Sequence, residues 1–144
     1  MRSEVIRGIT VRPLRNGETT AVQAVFDRLG PRSRLLRFGG AKTVLTQYDL
    51  EHLARVDETH HVLVALVKGA PVGIARLVRD GASAEVAVEV VDEWQGRGVG
   101  TLLMERLAAD ARAAGIARLH AVVDPDNTAS RALMRHAAVQ ISAA

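Results

Sequence analysis

Apolar and polar residues change rhythm several times along the chain, and each change marks an element. From Val5 to Leu14, Ile9 and Val11 alternate with Thr10 and Arg12 until Pro13, the period-2 pattern of one strand. Glu18 to Leu29 carries Val22, Val25, Phe26 and Leu29 on one stripe, which predicts a helix stopped at Gly30-Pro31. Residues 31–45 predict irregular chain or a short helix, with Gly39-Gly40 as a flexible point. Gln47 to Val56 predicts a second helix carrying Leu50 and Leu53. Three apolar runs follow, His61–Val67, Val72–Val78 and Ala84–Val91, separated by Lys68-Gly69-Ala70-Pro71 and by Asp80-Gly81. Short runs joined by such turns predict an antiparallel meander. Val99, Leu103, Leu107, Ala111 and Ala114 make a helical stripe over 98–114, closed by Gly115. Ala117–Val123 is then a strand parallel to its predecessor, and Asn127 caps a last helix running to Ala138. Residues 139–144 add only a stub. The expected fold is α/β: a mixed central sheet, built from a meander and one right-handed βαβ crossover, flanked by helices.

Length bounds this to one domain, residues 1–144. Alanine supplies 23 positions and valine 19, against 3% aromatics, so small and β-branched groups must build the core. No apolar run reaches the ~18–20 residues of a membrane span. The stretch Met1-Arg2-Ser3-Glu4-Val5 lacks a signal-peptide pattern. A soluble cytoplasmic protein without a membrane partner is expected. The absence of cysteine excludes disulfides, thiolate catalysis and zinc–thiolate sites. His60-His61 has no third ligand at metal spacing, so no metal is expected. Charge is uneven. Residues 1–45 hold nine Lys/Arg against three Asp/Glu, while the remainder is net negative. Arg28, Arg32, Arg34, Arg37 and Lys42 form a basic stretch that suits a phosphorylated cofactor, an acidic partner or plain solvent; a nucleic-acid partner is not expected.

The segment from Glu85 to Thr101 carries the chemistry. A strand enters the glycine-rich turn Gln95-Gly96-Arg97-Gly98-Val99-Gly100, and the turn opens a helix. The first N–H groups of a helix lack internal partners and carry the positive end of its dipole. Glycines let an anion approach the backbone, and Arg97 adds a full charge, so a phosphate or diphosphate is implied. A P-loop lysine is missing, and a G-x-G-x-x-G fingerprint falls one residue short. The pattern that remains is Q/R-x-x-G-x-G/A, filled by Gln95, Gly98 and Gly100.

With its flanks, that pattern resembles the GNAT superfamily of acyl-CoA-dependent N-acyltransferases. The likeness runs from about Val5 to Val139 and is most specific from Ala84 to Gly115. Ala84-Glu85-Val86-Ala87-Val88 ahead of Gln95-Gly96-Arg97-Gly98 is similar to the Pat-type protein lysine acetyltransferase branch. The resemblance implies an enzyme that moves an acetyl group from acetyl-CoA to a primary amine, by direct attack. A protein lysine is the expected acceptor and a small-molecule amine the alternative. Gln95, Gly96, Arg97, Gly98, Val99, Gly100 and Thr101 fall on the diphosphate turn, and Asn127 on the asparagine that contacts the cofactor arm or merely caps its helix. Glu85 occupies the place of the general base. Glu89 shares its face by strand alternation, where two neighbouring carboxylates would raise one another's pKa. Val90 and Val91 match the backbone positions that donate an N–H to the oxyanion. Arg32, Arg34 and Arg37 fall in the acceptor wall, which suggests acidic groups on the acceptor or contacts to CoA phosphates.

The chain departs from the family pattern in two places. Met134 stands where many members carry an acidic tyrosine. Ala138-Val139 replaces Gly-Phe, so the C-terminal strand pair is expected to be truncated, with an exposed sheet edge or a homodimer. These departures keep open a catalytically weak acyl-CoA-binding sensor module.

Overall fold

The computed structural model describes residues 4–38 and 44–143. Gly39-Gly40 and Lys42 lie outside the described residues. The elements are β1 (Glu4–Ile6), β2 (Ile9–Pro13), α1 (Thr19–Asp27), α2 (Pro31–Phe38), α3 (Gln47–Leu53), β3 (His60–Val67), β4 (Ala70–Asp80) and β5 (Ser83–Val90). A 3-10 turn (Asp92–Trp94), α4 (Val99–Ala113), β6 (Arg118–Val123), α5 (Thr128–His136) and β7 (Gln140–Ala143) complete them. The strands form one mixed sheet in chain order, β1 to β7. Pairing is antiparallel from β1 to β5 and parallel from β5 through β6 to β7.

Two expectations are amended, and the choice left open over residues 31–45 is decided as a short helix. The single strand over Val5–Leu14 is a hairpin, because Arg7 (φ 55°) and Gly8 (φ 78°) both take the left-handed conformation of a two-residue primed turn. The 31–45 stretch contains a true helix, α2, started by Pro31. The C-terminal stub is the strand β7, so β6–α5–β7 adds a second crossover to the one expected.

Both sheet faces are covered. Val62, Leu63, Val64 and Ile74 are fully buried, with Leu103, Met104 and Leu107 of α4 and Met134 of α5. The α4 stripe ends at Ala111; the helix stops at Ala113 and Ala114 is exposed. A Cβ on Gly73 would stand 3.0 Å from Val99 Cγ1 and 3.1 Å from Leu103 Cδ1, so α4 lies directly on β4. α1, α2 and α3 occupy the opposite face, where Arg37 reaches Glu89 and Arg76 reaches the carbonyl of Leu53. No helix among the described residues is long and apolar enough to cross a membrane.

One ion pair ties the sheet to the first helix. Arg12 donates to both oxygens of Glu18 at 2.9 and 2.6 Å, and the Arg15 amide adds a third bond. The Arg12 guanidinium holds the Glu18 carboxyl below its ordinary value. Its contribution is therefore present above the unfolded carboxyl pKa of about 4.3 and lost as pH falls through the lower folded value. Glu18→Gln is expected to cost about 1–3 kcal/mol at pH 7 and to flatten the acid limb of a pH–stability curve. Denaturation curves from pH 2 to 7 check this, and an unchanged acid limb refutes it.

Candidate functional site

β6 pairs with β5 only over Ser83–Glu85. Beyond Glu85 the two parallel strands part and a gap opens. The free edge of β5 faces that gap, and its orientation follows from the ladder with β4. The Val91 amide donates to Val72 O at 2.9 Å. Hydrogen-bonded and non-hydrogen-bonded pairs alternate in an antiparallel ladder, so Val90, opposite Gly73, turns its N–H and C=O away from β4 and into the gap. Val90 thus offers a backbone donor there, whereas the expected role for Val91 is corrected: its amide is already spent on β4.

The glycine turn closes one end of the gap. Gly96 (φ 74°) and Gly98 (φ 89°) take conformations that L side chains avoid. Gly98 is the N-cap of α4 and no side chain caps it. The first internal bond of the helix runs from the Leu102 amide to Gly98 O, which leaves the amides of Val99, Gly100 and Thr101 without helical partners. Gly100 serves differently: a Cβ there would stand 3.0 Å from Leu133 Cδ2, so its lack of a side chain lets α5 pack close. The Val99 side chain is buried and contributes only its amide. Arg97 is exposed and lies over the Trp94 ring at 4.7 Å.

A cavity of about 290 Å³ joins these parts. Glu89, Val90, Gln95, Gly96, Gly98, Gly100, Thr101 and Asn127 line it, together with Ser33, Arg37, Trp94 and Leu133. Glu85, Val91, Arg97 and Val99 do not. Gln95 Nε2 donates to Val90 O at 3.0 Å and to Ser33 Oγ at 3.2 Å, and Ser33 donates to Asp92 at 2.7 Å. The glutamine therefore braces the turn against β5 and α2. Asn127 accepts from the Ser130 amide, so it caps α5 while facing the cavity.

The two glutamates occupy different environments. Strand phase runs unbroken through Val90 and keeps both on one face, but four residues of strand separate them by about 13 Å. The two carboxylates are therefore not the adjacent pair that strand alternation suggested. Glu85 is more than half exposed and sits 3.6 Å from His120 on β6. Glu89 is buried, its side chain 5% exposed, and accepts from Arg37 Nε at 2.7 Å. Arg76 lies on the same face, buried, and its Nε and Nη1 have no hydrogen-bond partner among the described residues. Burial pushes the Arg76 guanidinium below its ordinary value, against the pull of Glu89.

Arg34 and Arg37 turn inward, Arg28 pairs at the surface, and Arg32 is exposed. Arg28 pairs with Glu93 at 3.2 Å, Arg34 donates to Phe26 O and covers the Phe26 ring, and Arg37 is held by Glu89. This argues against Arg34 and Arg37 reading acidic groups on an acceptor. Met134 is core, and Tyr48 is exposed beside His52. No cluster of three metal-ligating side chains occurs among the described residues.

Sequence reasoning missed Ser33 and Arg76. Ser33 and Arg37 stand four apart on α2, a spacing that marks a shared face once the helix is recognised. Arg76 is the one charge inside the apolar run Val72–Val78, a signal that was present.

A family model described as acetyltransferase (GNAT) family matches residues 32–138. Acetyltransferase Pat of Mycolicibacterium smegmatis is 41% identical over 91 residues, 59% of this chain and 27% of that protein. An acetyltransferase of Pseudomonas aeruginosa is 31% identical over 134 residues, 88% of this chain and 70% of its own length. Among solved structures, the GNAT domain of S. lividans PAT superposes with a TM-score of 0.84 at 28% identity, covering 94% of this chain and 85% of that one. The chain thus spans about a quarter of the mycobacterial relative and most of the isolated domain.

Proposed function

Because the chain belongs to the GNAT acetyltransferase family, we propose that it transfers an acetyl group from acetyl-CoA to the side-chain amine of a protein lysine. The observation that carries this is the junction in one cavity of unpartnered α4 amides with the open edge of β5 at Val90. The donor set suits a diphosphate: helix N-terminal amides, two left-handed glycines and no capping side chain. Acetyl-CoA supplies the thioester.

The residues divide the work. The amides of Gly100 and Thr101, which line the cavity, bind the diphosphate, and Gln95 keeps the turn fixed on β5. The Val90 N–H stabilises the negative oxygen that develops at the thioester carbon. The amine nitrogen bonds to that carbon, the carbon–sulfur bond breaks, and the sulfur leaves with the electron pair. A lysine-like amine is almost wholly protonated at pH 7, with a reference pKa of about 10.4. Glu85, exposed on β5 five residues before Val90, receives the proton through a file of waters along the strand and not by contact with the amine. With Met134 buried and Tyr48 remote, the thiolate leaves without a side-chain acid. The resemblance of Ala84–Val88 and Gln95–Gly98 to the Pat-type protein lysine acetyltransferase branch supports the lysine acceptor.

Free-thiol release from acetyl-CoA, measured with lysine-containing peptides and with a panel of small amines, tests the proposal. Turnover with peptides at least tenfold above that with small amines is expected. The reverse ranking assigns a small-molecule acceptor. Tight coenzyme binding without turnover on either panel leaves only an acyl-CoA sensor.

A further inference from the structure

Resting on the acetyl-transfer reading, we propose that Glu89 is the seat for the acceptor's ammonium group and that Arg37 occupies this seat until a substrate amine displaces it. Glu89 lies in the cavity next to Val90, whose N–H faces the gap where the thioester is to be held. A carboxylate only 5% exposed is stabilised by a cation beside it. The cation present is Arg37, brought in by α2 from 52 positions away in sequence. Arg37 also lines the second, smaller cavity, which fills the gap between Val86–Val88 and Ala121–Val123. It therefore stands where the coenzyme side of the cleft meets the β5–β6 gap.

Two features make Arg37 displaceable. First, α2 has no fully buried residue; it is held by Phe38 against the core and the Phe26 ring, and by polar contacts from Ser33, Arg34 and Arg37. Segments with few buried apolar contacts open at low cost. Second, Arg76 supplies a reserve charge. It is buried on the same sheet face, feels the Glu89 carboxylate, and among the described residues spends only Nη2, on Leu53 O. When Arg37 swings out, Glu89 is left with one fixed cation and one open lobe, the arrangement that receives a primary ammonium.

Titration of the isotope-labelled full chain with n-butylammonium, followed by NMR, tests this without turnover. Arg37→Met is expected to bind the amine at least fivefold more tightly than the native chain. Arg37→Lys, which restores a competing cation, is expected to match the native chain. Glu89→Gln is expected to weaken amine binding at least fivefold and to cancel the gain in the double variant. Equal or weaker binding by Arg37→Met overturns the proposal, as does persistence of the gain without Glu89. If Arg37→Met does not fold, Glu89→Gln against the native chain decides the matter, and equal affinities overturn it. Failure of the acetyl-transfer reading shows separately, as absence of thiol release.

Discussion

Gly98→Val is expected to lower acetyl-CoA affinity by about 10- to 100-fold, measured by calorimetry, with little change in thermal midpoint. Space is not the obstacle, since the nearest atom to a Cβ at Gly98 is Arg7 Nη1 at 3.8 Å. The obstacle is φ 89°, which a β-branched residue avoids at a cost of about 1–3 kcal/mol. A valine would pull the turn to negative φ and rotate the first amides of α4 off the anion. Gly100→Val makes an instructive contrast. Its backbone is ordinary helix, so the expected damage is steric, against Leu133, and appears first as lost stability. Undiminished affinity in Gly98→Val would show that the turn is not the diphosphate cradle.

Glu85→Gln is expected to lower turnover at pH 7 by about 10²- to 10⁴-fold. Coenzyme affinity should change less than about twofold, because Glu85 does not line the cavity that receives it. The deficit should shrink as pH rises toward the amine pKa of about 10.4, where the acceptor sheds its proton unaided. Glu89→Gln should differ in kind, raising the acceptor Michaelis constant more than it lowers turnover, since its proposed part is to hold the ammonium. Steady-state kinetics from pH 6.5 to 9.5 separate the two. A Glu85→Gln rate equal to the native rate would falsify the general-base assignment.

Much of this site was legible in the chain itself. Local patterns were enough for the order of strands and helices, because alternation and the 3.6-residue period are properties of neighbouring residues. The turn from Gln95 to Gly100 was legible for the same reason: glycines beside a helix start announce free amides wherever the helix sits. Even the shared face of Glu85 and Glu89 followed from the period of a strand. The hairpin at Arg7-Gly8 was missed because arginine seldom takes positive φ, so the turn was hidden by its own first residue.

What the sequence left open depends on partners distant along the chain. Whether Val90 or Val91 presents its amide is a matter of ladder phase against β4, and no side chain records that phase. The surroundings of Glu85 and Glu89 differ because α2 covers one and leaves the other in water. Arg37 and Arg76 meet around Glu89 only when β4, β5 and α2 are packed together. Local spacing sets which groups a segment offers; burial and register, fixed by the whole sheet and its helices, decide which of them face the cleft and what charge stands beside them.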